Sequence, residues 1–141
     1  DAYAQAIFAG QPPLYEDERI TVYAAPEPAQ RGPYLILGLG WGPRQSDDAG
    51  QVWRTLPAGE RAGLELVNPE GGPRRLALEA AAPAGGTLRL LDAQGRELDA
   101  WTLTPERAAL SSDLASLPTS VHLEYQGPAG AAAVIYRLTL E

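Results

Sequence analysis

Apolar residues recur along this chain in short runs broken by Gly, Pro, Asn and Asp: Ile20 to Ala24, Tyr34 to Leu39, Val52 to Leu56, Gly63 to Asn68, Arg75 to Ala80, Thr87 to Leu91, Glu97 to Leu103, Val121 to Tyr125 and Ala133 to Leu140. Several alternate at period 2. Leu64 and Leu66 share one face with Glu65 on the other, and Leu76 and Leu78 repeat the pattern. Leu88 and Leu90 flank Arg89, and Val121, Leu123 and Tyr125 flank His122 and Glu124. Successive side chains of a strand point to opposite faces, so this alternation predicts antiparallel strands buried on one side.

Between the runs lie segments with turn chemistry. Three predict hairpins: Asn68-Pro69-Glu70-Gly71-Gly72-Pro73, Asp92-Ala93-Gln94-Gly95 and Gln126-Gly127-Pro128-Ala129-Gly130. Strands at roughly ten-residue spacing match an all-β, antiparallel two-sheet β-sandwich, of jelly-roll or carbohydrate-binding-module-like form. Residues 105–117 read either as a helical turn opened at Pro105 or as an irregular edge strand.

The beginning of the chain has another character. Residues 1–10 are alanine-rich, open on Asp1 and end on Gly10, which predicts one short N-terminal helix. Pro12-Pro13 then forces an extended exit. The expected organisation is therefore a helix and linker over 1–19 followed by a sandwich domain over 20–141. With no Met and a start at Asp1, the chain reads as a processed product or a fragment of a longer protein.

A chain of 141 residues can bury about two-thirds of its unfolded surface without a staple. Cysteine is absent, which excludes disulfides, thiolate metal sites and cysteine nucleophiles. The net charge is −7, and every basic residue is Arg. A phosphate-binding surface needs a basic stripe, whereas here the arginines are scattered apart from Arg74 and Arg75, so nucleic acid is not an expected partner. No apolar segment approaches the ~20 residues of a membrane span.

Catalytic and metal chemistry find little support. The single histidine, His122, falls on the solvent side of its strand beside Glu124, and a surface His-Glu pair is the plainer reading. Asp47 and Asp48 lie in a Gly- and Ser-containing loop where oxygen ligands for Ca²⁺ would be at hand, but no EF-hand spacing accompanies them. Gly38-Leu39-Gly40-Trp41-Gly42 has neither a following helix nor the Lys and Ser/Thr of a phosphate loop. No catalytic residue, metal or cofactor is expected.

The aromatic residues say more. Tyr34, Trp41 and Trp53, with Arg44 and Arg54 nearby, supply flat faces beside guanidinium groups, the means by which a sandwich stacks a sugar ring and hydrogen-bonds its hydroxyls. These five are the candidate glycan-binding residues. The competing reading makes Trp53 and Trp101 core residues that close the sandwich, with Trp41, among glycines and prolines, partly exposed.

One longer passage adds context. Pro13-Leu14-Tyr15-Glu16-Asp17-Glu18-Arg19-Ile20-Thr21-Val22-Tyr23 resembles a passage near the C-terminus of large bacterial multi-pass membrane proteins, the glycosyltransferases of the dolichyl-phosphate-mannose type and their relatives. In those proteins a β-rich tail follows, with a Gly-Trp motif, a Trp-Arg pair and a Leu-x-Leu-x-Asn-Pro strand end. Here Gly40-Trp41, Trp53-Arg54 and Leu64-Glu65-Leu66-Val67-Asn68-Pro69 come in that order, and Leu88 to Trp101, with a turn at Asp92 to Gly95, matches the usual strand pair and its Leu-x-x-Trp ending. One position departs: the family's glutamate after Gly-Trp is Gln45 here. The resemblance implies an extracytoplasmic accessory domain of a bacterial membrane protein, attached on its N-terminal side to the membrane-embedded remainder. It carries no catalytic residue onto this chain.

Three functions follow: a carbohydrate-binding domain, a structural or protein-interaction sandwich, and an independent hydrolase. The last would require a convergent carboxylate pair in a cleft.

Overall fold

The computed structural model describes residues 12–16, 21–24, 32–115 and 120–141. The helix expected over residues 1–10 lies outside them; among the described residues every regular element is a strand. The chain divides into two compact units, Asp1–Arg31 and Gly32–Glu141. In the first, β1 (Tyr15–Glu16) and β2 (Thr21–Val22) pair antiparallel with each other, and the Leu14 amide donates to the Val22 carbonyl at 2.7 Å.

The second unit is a sandwich of two five-stranded antiparallel sheets. One runs in the order β10 (Ala108–Leu114), β7 (Arg74–Ala81), β12 (Ala132–Leu140), β5 (Val52–Pro57), β4 (Arg44–Ser46). The other runs β3 (Tyr34–Leu37), β6 (Arg61–Val67), β11 (Ser120–Gln126), β8 (Gly86–Asp92), β9 (Glu97–Leu103). The core between them comes from the alternating leucines: Leu64, Leu76, Leu78, Leu88, Leu90 and Leu123 are all buried. Among the described residues Tyr125 is the largest fully buried side chain, and its hydroxyl donates to the Gly85 carbonyl.

Of the three expected hairpins, one forms. Asp92 to Gly95 joins adjacent β8 and β9; the Gly95 amide donates to the Asp92 carbonyl at 3.0 Å, and Gly95 takes the left-handed conformation at φ 79°. The segments at 68–73 and 126–130 instead carry the chain from one sheet to the other, β6 to β7 and β11 to β12. Gly- and Pro-rich turn chemistry reverses a chain equally well within a sheet and across the core, so composition does not separate the two. Two strands lack an apolar run. Arg44–Ser46 pairs with Val52–Pro57 as a polar edge strand, and Ala108–Leu114 resolves the 105–117 ambiguity as the opposite edge of the same sheet.

Two nearly buried carboxylates brace the second sheet. Glu124 accepts from Arg61 Nε at 2.6 Å, Arg89 Nη1 at 3.1 Å and Gln126 Nε2 at 3.1 Å, so it is engaged with arginines rather than paired with His122. Asp92 accepts from the Gln94 and Arg96 amides, each at 2.9 Å, and from Arg96 Nε at 2.7 Å, pinning the hairpin. The Arg61 hydrogen bond draws the Glu124 carboxyl below its ordinary range against the opposing effect of burial, with Gln126 and the two arginine charges adding to it. At Asp92 burial pushes upward, and the amides and guanidinium of the turn outweigh it to leave the carboxyl lowered. A carboxyl that titrates lower folded than unfolded contributes stability that is complete above its unfolded pKa and is lost as the pH falls through its folded one. Acidification from about pH 5 to 2 is therefore expected to lower Tm more steeply in the native chain than in Asp92→Asn/Glu124→Gln, whose slope should be visibly shallower. Identical slopes in calorimetry would contradict these assignments.

Candidate functional site

Among the described residues a groove lies between edge strand β3 of one sheet and strands β5 and β12 of the other. It encloses about 210 Å³. Its wall on one sheet is Leu35 and Leu37 of β3; on the other it is Val52 and Arg54 of β5 with Ile135 to Leu138 of β12. Trp41 and Trp53 complete the lining.

The segment from Gly38 to Gly42 builds the end of this groove. It leaves β3, runs beside the start of β6 and then joins the other sheet. The Gly38 amide donates to the Gly63 carbonyl at 2.9 Å, and Gly63 returns a bond to the Leu39 carbonyl at 2.8 Å. The Gly42 amide donates to the Thr55 carbonyl at 2.9 Å. Gly40 lies at φ 90°, and a Cβ there would stand 1.9 Å from the Arg61 carbonyl oxygen, so only glycine permits the approach. At the crossing, Trp41 packs one side against the core and donates its Nε1–H to Gly63 O at 2.9 Å.

Arg54 follows from strand alternation. Leu56 of β5 is fully buried, so Arg54, two residues back, shares its inward side at the open end of the sandwich. There Arg54 Nη1 donates to the Gly42 carbonyl at 3.0 Å. Trp53 takes the other side of the strand and donates Nε1–H to Gln45 Oε1 at 2.8 Å, the side chains belonging to residues directly opposite in the β4–β5 register.

Three of the five residues singled out by sequence thus meet here: Trp41, Trp53 and Arg54. The other two stand apart from the lining. Tyr34 lies one step out of phase with Leu35 and Leu37 on β3, is 37% exposed, and belongs to the opposite side of that strand. Arg44 is exposed on β4, directly opposite Arg54. The three tryptophans are all half-buried, Trp101 on β9 at the far edge of its sheet. Sequence reasoning missed the contribution of β12. A register shift between Ile135 and Arg137 makes Tyr136 an extra residue in the strand and brings both Tyr136 and Arg137 to the groove. The Tyr136-Arg137 interruption of an otherwise apolar strand was the available signal. Asp47, considered above for Ca²⁺, closes the β4–β5 turn by accepting from the Gln51 amide at 2.8 Å, and no metal-ligating cluster of His, Asp and Glu occurs among the described residues.

The architecture places the second unit with the two-sheet sandwiches that carry carbohydrate-binding modules. A family 6 carbohydrate-binding module from Clostridium cellulolyticum, in complex with xylose, matches with TM-score 0.53 at 13% identity, over 72% of this chain and 87% of that one. CsCBM6-3 from Clostridium stercorarium, in complex with cellobiose, matches with TM-score 0.54 at 11% identity, over 79% and 86%. The CBM36-1 domain of a multidomain xylanase from the hindgut metagenome of Trinervitermes trinervoides matches with TM-score 0.54 at 10% identity, over 78% and 97%. At these identities the likeness is one of fold. No family model and no curated protein sequence matches the chain.

Proposed function

We propose that this chain is a non-catalytic glycan-binding domain, with the groove between β3, β5 and β12 as its site. The observation that carries this reading is the convergence of two half-buried tryptophans and a guanidinium at the open side of a sandwich. Such a groove offers a flat apolar face for a sugar ring and hydrogen-bond donors for its hydroxyls. The complexes with xylose and cellobiose formed by sandwiches of the same fold support it by analogy, which is an argument about class and not about this ligand. Among the described residues none that lines the groove is a carboxylate, which speaks against the hydrolase reading at this place. The resemblance of the Pro13 to Tyr23 passage supports an accessory role on the extracytoplasmic side of a bacterial membrane protein.

A purely structural sandwich is the second reading, favoured by the use of both groove tryptophans in internal hydrogen bonds, Trp41 to Gly63 and Trp53 to Gln45. A glycan-array screen followed by titration calorimetry separates the two. The glycan reading expects a saccharide hit whose affinity falls roughly tenfold or more in Trp53→Ala, since a stacked aromatic is the typical anchor of such a site. No hit, or a hit indifferent to Trp53→Ala and to Trp41→Phe, would favour the structural reading.

A further inference from the structure

Resting on the glycan reading, we infer that the groove's ligand is an acidic saccharide, one that presents a carboxylate to Arg54, Arg44 and Arg137. Six of the described arginines have a carboxylate partner: Arg61 and Arg89 on Glu124, Arg74 on Glu70, Arg75 on Asp113, Arg96 on Asp92 and Arg107 on Glu79. In a chain with more acidic than basic residues such pairing is easily supplied. Among the described residues the three arginines without one are Arg44, Arg54 and Arg137; Arg54 and Arg137 line the groove, and Arg44 stands outside the lining, directly opposite Arg54 on β4.

Their placement is specific. Arg44 and Arg54 stand directly opposite each other on neighbouring antiparallel strands, where like charges repel. Arg137 stands opposite Glu79 in the β12–β7 register, yet that carboxylate is taken by Arg107, which also lies over the Tyr136 ring at 4.5 Å from its centroid. The neighbouring acid is thereby occupied and Arg137 is left free beside the groove. A sugar carboxylate entering here would relieve the Arg44–Arg54 repulsion and take charge-assisted, bidentate hydrogen bonds from planar guanidinium groups. Its ring would lie on the apolar lining. The enclosed volume suits a single sugar ring better than a long chain lying in the cleft.

The test uses the full chain and three probes of matched length: an oligogalacturonide, its fully methyl-esterified form, and a sulfated neutral oligosaccharide. Binding is read by titration calorimetry at low and physiological salt, in the native chain and in Arg44→Gln/Arg137→Gln. Both arginines are exposed and, among the described residues, make no side-chain hydrogen bond, so the variant should retain its fold, as circular dichroism verifies. The inference expects the free acid to bind at least about tenfold tighter than the ester, with a preference that weakens with salt and disappears in the variant. Equal or tighter binding of the ester would overturn the acidic-sugar inference while leaving the glycan reading standing. Tighter binding of the sulfated probe than of the galacturonide would overturn the assignment to a carboxylate. Failure of all three probes, together with an array that yields no hit, would remove both readings.

Discussion

Replacing Tyr125 by alanine is expected to lower the unfolding free energy by about 3–5 kcal/mol, the usual loss when a large aromatic leaves a packed core. The side chain is fully buried in β11, across from Leu88 on β8, and among the described residues no other fully buried one is as large. Its hydroxyl reaches out of the apolar layer to the Gly85 carbonyl, in the turn leading into β8, and its own carbonyl accepts from the Gly59 amide at 3.0 Å. One residue therefore joins the core to two loops. Tyr125→Phe isolates the hydroxyl and should cost about 1 kcal/mol, the net value of one such hydrogen bond. Since a domain's whole margin is about 5–15 kcal/mol, the alanine variant should lose much of its resistance to urea. A loss below about 1 kcal/mol for Tyr125→Ala would contradict its central place in the core.

The second large effect is expected at Gly40, where structure and binding meet. An alanine there would have to adopt a left-handed φ and place its Cβ into the Arg61 backbone carbonyl. Backbone has no rotamer through which to yield. The Gly38 to Gly42 segment must then move off β6, taking Trp41 from its Gly63 acceptor and opening the end of the groove. Strain and overpacking together should cost at least about 2 kcal/mol. Saccharide affinity should fall further than stability alone would explain, because Trp41 is displaced in the molecules that remain folded. Retained stability and retained binding in Gly40→Ala would show that the close approach is not maintained in solution.

The sandwich itself was legible wherever one face of a strand is apolar. Leu64 and Leu66, Leu76 and Leu78, and Val121, Leu123 and Tyr125 sit at inward positions, as their period of two predicts. Legibility failed where that contrast fades. Arg44-Gln45-Ser46 forms an edge strand with no apolar position, held by pairing with β5 and by the Gln45–Trp53 hydrogen bond. In β10 an inward position opposite Leu76 is occupied by Ser112, which breaks the apolar rhythm of an otherwise regular strand. Sheet membership was harder still, because the 68–73 and 126–130 turns have hairpin composition and yet connect different sheets.

The site was half legible for the same reasons. Trp41, Trp53 and Arg54 could be singled out by chemistry, since aromatic rings beside guanidinium groups are uncommon in a chain with few aromatics. Tyr34 was drawn in by proximity in sequence, but alternation along β3 gives the groove to Leu35 and Leu37. The Tyr136-Arg137 break in the apolar run marks a polar position in β12, but the side it takes depends on the extra residue at Tyr136, a local irregularity that no period reveals.

The claim that the groove is a saccharide site is tested most directly by acrylamide quenching of tryptophan emission in the full chain, with and without a saturating saccharide. The account predicts that the sugar lowers the quenching constant, and that the protection persists in Trp101→Phe, where only the two groove tryptophans report. Undiminished quenching at saturation, or protection that vanishes with Trp101, would place the ligand elsewhere and contradict it.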